Sequence, residues 1–196
     1  MDEKIIEKAI TYIEELFRTN AGGHDVDHTM RVYQNTLLIA KEEPECNERI
    51  AILAALLHDV DDHKLFHTEN NTNARAFLSE NQVPIQTIDQ ICAVINSVSF
   101  SKNKGKVPES LEGKVVQDAD RLDAIGAVGI ARTFAYGGEH GRPMTESIQH
   151  FYDKLLQLKT LMNTETGRRM AEKRHGFLET FLLEYFEETE GLCQFK

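Results

Sequence analysis

Apolar residues recur every three or four positions along most of the chain, which is the pattern of amphipathic α-helices. The stripe from Ile6 to Phe17 predicts a first helix over about Asp2–Arg18. Similar stripes predict further helices over about 25–41, from 47 into the acidic segment at 58–62, and over 69–81, 85–98, 111–127, 144–163 and 165–189. No segment shows sustained alternation with a period of two, so the predicted fold class is all-α.

Helix-capping and helix-breaking residues fit these boundaries. Asp25 or Asp27 can cap the second helix, and Asn47 can cap the third. The four prolines, at positions 44, 84, 108 and 143, each fall between predicted helices. Two polar or glycine-rich segments, 99–110 and 135–143, read as loops, and the glycines at 126 and 129 indicate close packing or a break between short helices.

Length and charge limit what the chain can do. A chain of 196 residues predicts one domain, 1–196, with a core large enough to fold without disulfides. The net charge of −10 and the absence of a basic run argue against a nucleic acid polymer, but they permit an anionic small molecule bound by local Arg and Lys residues. No apolar run is long enough for a membrane span, and the charged start lacks the pattern of a secretory signal, so we expect a cytoplasmic protein.

Three clusters of histidine and aspartate lie beside apolar helical stripes, at 23–32, 56–64 and 117–127. Buried charged groups are costly unless they are paired or bind a metal. The three clusters therefore suggest convergence on one ion. The three scattered cysteines, none in a CxxC pair, provide neither a thiolate zinc site nor a disulfide framework.

Each cluster taken alone has a simpler interpretation. His58 and Asp59 could decorate a helix end, and His28 could be a single partly buried histidine beside a surface arginine, Arg31. Asp118, Asp120 and Asp123 could form a solvated acidic helix face. Helical periodicity does not decide between Asp118 and Asp120 as a ligand.

The combination of these motifs resembles the HD-domain superfamily of metal-dependent phosphohydrolases. The sequence reads HTMRV at 28–32, LLHD at 56–59 and DADRLDAIGAVGIAR at 118–132. The long third motif is similar to that of small single-domain bacterial members. The resemblance covers about 20–140, with the C-terminal helices at about 144–189 packing on that core, and it implies an HD-like helical bundle. It also implies one divalent ion held by four ligands: His28, His58, Asp59 and Asp120.

The resemblance implies a hydrolytic mechanism. Two imidazoles and two carboxylates suit Mn²⁺, our first choice, or Mg²⁺, Fe²⁺, Co²⁺ or Ni²⁺. The ion would activate water for attack on phosphorus, with Asp59 as a ligand at the reacting centre. Asp62, four residues after His58, could share its helical face and orient the water or protonate the leaving oxygen, although Asp61 and Asp62 could equally be loop residues. Candidate phosphate-binding residues are Arg31, Lys64, Lys102 and Arg132.

Several functions share these motifs. The resemblance implies a nucleotide-like substrate, with a (deoxy)nucleoside triphosphate cleaved to monophosphate and pyrophosphate as one reaction. A 5′-nucleotidase would have nearly the same sequence features. A non-catalytic nucleotide or metal sensor and a dinuclear iron oxygenase are further alternatives, and the chain could be a monomer or a homodimer.

Overall fold

The helices of this chain follow the predicted apolar stripes closely. The computed structural model describes residues 3–18, 25–62, 65–99, 103 and 105–190, and these ranges contain helices and no strand. The all-α prediction is confirmed. The α-helices, in chain order α1 to α9, are Glu3–Leu16, Val26–Ala40, Glu48–Leu57, Thr72–Glu80, Ile85–Val98, Leu111–Asp123, Gly126–Glu139, Met144–Asp153 and Glu165–Glu190, with a 3₁₀ helix at Leu155–Leu161 between α8 and α9.

The chain divides into two compact units, Met1–Asp120 and Arg121–Lys196. In the first unit α3 is the central helix, because it packs against α1, α2 and α5, and every residue from Ile50 to Leu57 is buried. A helix that is apolar on all sides belongs in a core. The predicted single domain over 1–196 is not tested by this division and stays a prediction.

Side-chain caps fix the starts of α2 and α3. The carboxylate of Asp25 accepts a hydrogen bond from the backbone N–H of His28, and the side-chain oxygen of Asn47 accepts one from Ile50. Of the two predicted caps for α2, Asp25 is therefore the one used. Such caps satisfy N–H groups that have no partner inside the helix.

The break between α6 and α7 lies at the predicted glycines. Gly126 has a φ of +78°, which favours glycine, and it is the first residue of α7. A Cβ atom on Gly129 would overlap the carbonyl oxygen of Ala124, in the connection between the two helices. Gly126 therefore allows the break between the two helices, and Gly129 allows the close approach of α7 to Ala124.

Two predictions in the second half of the chain are wrong. The segment 135–139 was expected to be a loop because of its glycines, but α7 continues through it to Glu139. Gly137 permits close packing instead, since a Cβ atom there would lie 2.6 Å from Ser147 Oγ.

The expected helix over 144–163 is also interrupted. It stops at Asp153 and is followed by the 3₁₀ helix, in which Leu155 and Leu158 are buried. Leucines spaced by three residues share a face of a 3₁₀ helix, which has three residues per turn.

The second unit is built from α7, α8, α9 and the 3₁₀ helix. α9 packs against α7 and against the 3₁₀ helix, which in turn packs against α8. Arginine side chains tie the end of α6 into this unit: Arg121 donates to the carbonyl of Leu161, and Arg174 donates to the carbonyl of Leu122. None of the described helices combines the length and the apolar character needed to cross a lipid bilayer.

Candidate metal centre

His28 lies in the first turn of α2 and is buried, with 2% of its surface exposed. Its backbone N–H is the group that Asp25 caps, at 2.7 Å. The cap therefore fixes the backbone of His28 relative to the start of the helix. The ring Nε2 of His28 contacts residues outside α2.

His58 and Asp59 follow directly after the last residue of α3. His58 Nδ1 lies 2.7 Å from the carbonyl oxygen of Ala55, one turn earlier. Because a carbonyl can only accept, Nδ1 carries a proton, and Nε2 is the nitrogen whose lone pair can bind an ion once its own proton is lost. Metal-binding histidines are commonly held in this way by a backbone carbonyl.

Ring nitrogens and carboxylates from α2, α6 and the residues that follow α3 approach each other in the first unit. The two Nε2 atoms of His28 and His58 are 3.3 Å apart. Asp59 Oδ2 lies 3.5 Å from the first and 3.3 Å from the second, and Asp120 Oδ1 lies 3.5 Å from His28 Nε2. The structure therefore brings together the four residues that the resemblance proposes as ligands.

The acidic helix α6 is not a solvated face. Asp118 and Asp123 are buried, so that interpretation is wrong for both. Asp120, with 24% of its side chain exposed, is the member that reaches the two histidines. The side-chain amide of Asn35 in α2 donates to the carbonyl of Ala119, which ties α2 to α6 next to Asp120.

The carboxylates create a negative potential at the histidine rings. Burial alone would lower the pKa of His58, but Asp59, Asp120 and the bond to Ala55 outweigh it and raise the pKa from 6.5 to about 9. A site that favours positive charge on a buried imidazole also favours a cation next to it.

The arrangement fits a divalent ion. Ligand atoms about 2.1 Å from one octahedral ion are about 3 Å apart when adjacent and about 4.2 Å apart when opposite. The measured separations of 3.3–3.5 Å fall in this range. His28, His58 and Asp120 also present ligand atoms that all lie within 4.8 Å of one another.

The structure describes some, but not all, of the other predicted site residues. Asp62 does not share a helical face with His58, because α3 ends at Leu57 and Asp62 lies in the turn that follows. Arg31 is half-buried on α2. Arg132 forms an ion pair with Asp123, within the second unit. Lys64 and Lys102 lie outside the described residues, and the binding roles of all four cations stay predictions.

The structural roles of Asp61 and Asn73, which lie beside the site, were not predicted from the sequence. Asp61 accepts hydrogen bonds from the backbone N–H groups of Asn73 and Ala74, and the Asn73 side chain donates to the carbonyl of Val60. Their partners are 12 or 13 residues away, so no local sequence pattern indicates them.

Comparisons with known proteins identify the family of this chain. The HD domain family matches residues 25–125, a span that includes all four proposed ligands. The chain belongs to the HD-domain family. The resemblance inferred from the three motifs is confirmed.

Relatives of this HD protein extend over nearly the whole chain. The uncharacterized protein YpgQ of Bacillus subtilis (strain 168) is 37% identical over 198 residues, which cover 96% of each chain. A crystal structure of YpgQ in complex with ADP has a TM-score of 0.83 at 34% identity and covers 94% of this chain and 95% of that one. An HD-superfamily hydrolase from Bacillus thuringiensis has a TM-score of 0.81 at 38% identity and covers 97% and 99%. The family supports hydrolase activity.

Proposed function

We propose that this HD protein is a divalent-metal-dependent phosphohydrolase that acts on a nucleotide-like small molecule. The specific reaction we propose is cleavage of a (deoxy)nucleoside triphosphate to monophosphate and pyrophosphate. The observation that carries the proposal is the approach of His28, His58, Asp59 and Asp120 to within 3.3–3.5 Å of a neighbouring member of the group.

The donor set supports one hard or borderline ion. Two nitrogen and two carboxylate ligands, without a thiolate, suit Mn²⁺, Mg²⁺, Fe²⁺, Co²⁺ or Ni²⁺, and we propose Mn²⁺. When bound, such an ion supplies Lewis acidity that polarises a phosphoryl oxygen and lowers the pKa of water. The two rings would hold it through His58 Nε2 and His28 Nε2, and the Ala55 carbonyl orients the His58 ring by accepting from Nδ1.

The chain's own residues supply the remaining steps. Asp62, in the turn after the ligands, is the proposed group that orients the attacking water or returns a proton to the leaving oxygen. Arg31 is the proposed contact for phosphate oxygens, because its position three residues after His28 puts it on the same face of α2. Lys64, Lys102 and Arg132 are further candidates for this role.

The nucleotide character of the substrate is supported by a relative. YpgQ of Bacillus subtilis has been crystallised in complex with ADP, and it is similar to this chain over almost its full length. A diphosphate-bearing ligand in a relative of this similarity makes nucleotides the first class to test. It does not distinguish release of pyrophosphate from release of phosphate.

The decisive experiment compares a ligand variant with a matched surface variant. Metal-stripped protein would be loaded with Mn²⁺, Mg²⁺, Co²⁺ or Ni²⁺ and incubated with a panel of ribo- and deoxynucleotides, with phosphate and pyrophosphate measured separately. Asp120→Asn removes one proposed ligand charge. Asp27→Asn makes the same chemical change at an exposed position one residue before His28. We expect metal-dependent release that falls at least about 100-fold in Asp120→Asn and is unchanged in Asp27→Asn.

The products separate the alternatives. Pyrophosphate as the first product supports the triphosphate reaction, whereas phosphate released from monophosphates would indicate a 5′-nucleotidase. Metal binding without turnover of any nucleotide would overturn the hydrolase proposal and favour a sensor. Two metal ions per chain would favour the dinuclear oxygenase.

A further inference from the structure

The turn that follows α3 is joined to the start of α4 by side-chain hydrogen bonds. The two carboxylate oxygens of Asp61 accept from the backbone N–H groups of Asn73, at 2.9 Å, and Ala74, at 3.0 Å. These are N–H groups of the first turn of α4, which have no partner within their own helix. A carboxylate at this position also interacts favourably with the positive end of the helix dipole.

Asp61 replaces a cap that α4 lacks locally. The residue at the capping position, Asn71, has a φ of +56° and its side chain makes no capping hydrogen bond. The cap comes instead from a residue more than ten positions earlier in the chain. The start of α4 and the turn after α3 therefore depend on each other.

A second bond runs in the opposite direction. The side-chain amide of Asn73 donates to the carbonyl of Val60 at 2.7 Å. The turn between the proposed ligand Asp59 and the proposed proton-transfer group Asp62 is thus held at two successive residues, Val60 and Asp61.

α4 is a firm attachment point for this turn. Ala74 and Leu78 are fully buried, and α4 packs against α5, which packs against the central helix α3. Within the turn itself, backbone hydrogen bonds run from Val60 to Leu57, at 3.4 Å, and from Asp62 to Asp59, at 3.0 Å. His58 and Asp59 both follow the last residue of α3; the His58 ring bonds back to Ala55 of that helix, whereas Asp59 is joined directly to the turn residues Val60 and Asp61.

We propose that Asp61 is a positioning residue: together with Asn73 it fixes the turn that aims the Asp59 carboxylate at the two histidine rings. The Asp61 carboxylate is directed to backbone N–H groups and is not itself a ligand. This inference rests on the proposed metal centre and adds to it the element that holds one of its ligands in place.

The test is the affinity of the metal-stripped, full-length protein for Mn²⁺, measured by calorimetry or from the electron paramagnetic resonance signal of free Mn²⁺. In Asp61→Asn the side chain keeps its shape but has one acceptor oxygen for two N–H groups. We expect Mn²⁺ to bind about 10- to 100-fold more weakly, as when other groups that orient metal ligands are removed.

Two further variants separate positioning from charge and from stability. Asn73→Ala removes the bond to Val60 without changing the charge, and we expect it to weaken Mn²⁺ binding as well. Because both variants open the same connection, their combined effect should be smaller than the product of the single effects. Asp89→Asn is the matched control, since it makes the same chemical change in an exposed ion pair with Arg75 of α4.

The outcomes distinguish this inference from the metal centre itself. Wild-type affinity in folded Asp61→Asn and Asn73→Ala would overturn the positioning role and leave the metal centre intact. Weaker binding in Asp61→Asn alone, with Asn73→Ala at the wild-type level, would indicate a charge effect and would also overturn it. If wild-type protein binds no Mn²⁺ or other divalent ion, the metal centre and this inference fail together. Thermal unfolding curves of each variant establish that the compared proteins are folded.

Discussion

At the scale of single residues, the two histidines of the proposed centre are oriented by different local contacts. His58 is fixed through its ring, because Nδ1 donates to the Ala55 carbonyl of its own helix. His28 is fixed through its backbone, because its N–H bonds to the Asp25 cap. Both contacts lie within three residues of the histidine, so the geometry of each side chain follows from its immediate sequence.

Cys46 provides a test of the electrostatics around α3. Burial, followed by the charges of Glu112, Glu43 and Glu48, raises the pKa of its thiol from 9.0 to about 12. The reactive thiolate is therefore about 1000-fold scarcer at pH 8 than for a thiol of pKa 9. We expect iodoacetamide to modify Cys46 very slowly at pH 8 and about tenfold faster for each added pH unit, up to about pH 11, as peptide mass spectrometry would show.

The same protein in guanidinium chloride serves as the reference for Cys46. Unfolding removes the burial, which is the largest cause, and the contact with Glu112, and the salt screens the glutamates that stay close in sequence, so labelling at pH 8 should become fast. Equal labelling rates in the folded and unfolded protein at pH 8 would contradict the raised pKa.

The sequence indicated the residues that meet at the proposed centre but not the residues that support them. The histidine and aspartate pairs are visible because they interrupt apolar stripes at 28, 58–59 and 118–123. Helical spacing alone did not decide between Asp118 and Asp120 as a ligand. Asp120 is distinguished by its contact with His28, a residue distant in sequence, which the spacing does not reveal. Asp61 could not be distinguished from a loop residue, because its partners lie on a different helix.

At the scale of elements, the helices were predictable where apolar spacing was regular and caps were local. The starts of α2 and α3 follow Asp25 and Asn47 as expected. The errors occur where glycine or leucine has a packing role. Gly137 lies inside α7 because α8 approaches it, and the leucines at 155, 158 and 161 form a 3₁₀ helix instead of extending α8. Where α7 and α8 end therefore depends on packing against neighbouring helices, which the sequence of one segment does not show.

Gly129 should be intolerant of any side chain. A methyl group there would overlap the Ala124 carbonyl, so Gly129→Ala must shift the connection between α6 and α7. We expect the free energy of unfolding to fall by about 1–3 kcal/mol, as for other overpacked sites, and the melting temperature to fall by several degrees.

Gly138→Ala is the matched control for Gly129. It lies on the same helix, and a Cβ atom there meets no atom within 4 Å. Alanine is the better helix former, so this variant should be more stable by up to about 1 kcal/mol. A Gly129→Ala protein as stable as Gly138→Ala would show that the close approach to Ala124 is absent in solution.

At the scale of the whole molecule, the proposed centre belongs to one of two compact units. All four proposed ligands lie within Met1–Asp120, and the family match, 25–125, covers much the same part of the chain. The second unit, Arg121–Lys196, has its own contacts among α7, α8, α9 and the 3₁₀ helix. Two of the three motifs that indicated the family lie in the first unit, and the third, at 118–132, continues into the second, whose remaining residues were predictable mainly as helices.

Binding of Mn²⁺ should stabilise the metal-stripped protein against heat. A ligand that binds only the folded state adds about 2.7 kcal/mol to the free energy of unfolding when present at 100 times its dissociation constant. For a chain of this size that corresponds to a rise in melting temperature of about 5–11 °C, measurable by differential scanning fluorimetry.

The Asp120→Asn variant should lose most of that rise, whereas Asp27→Asn should retain it. Equal melting temperatures of the wild-type protein with and without Mn²⁺, Mg²⁺, Co²⁺ or Ni²⁺ would contradict a divalent ion at this centre.

The order of the proposed ligands along the chain has a consequence for how the protein is made. His28, His58 and Asp59 leave the ribosome well before Asp120, which is carried by α6. At a synthesis rate of about 5–20 residues per second, the interval between Asp59 and Asp120 is about 3–12 s. The nascent chain therefore carries an incomplete set of the proposed ligands for several seconds, and a four-ligand centre can form only after the first unit, Met1–Asp120, has been translated.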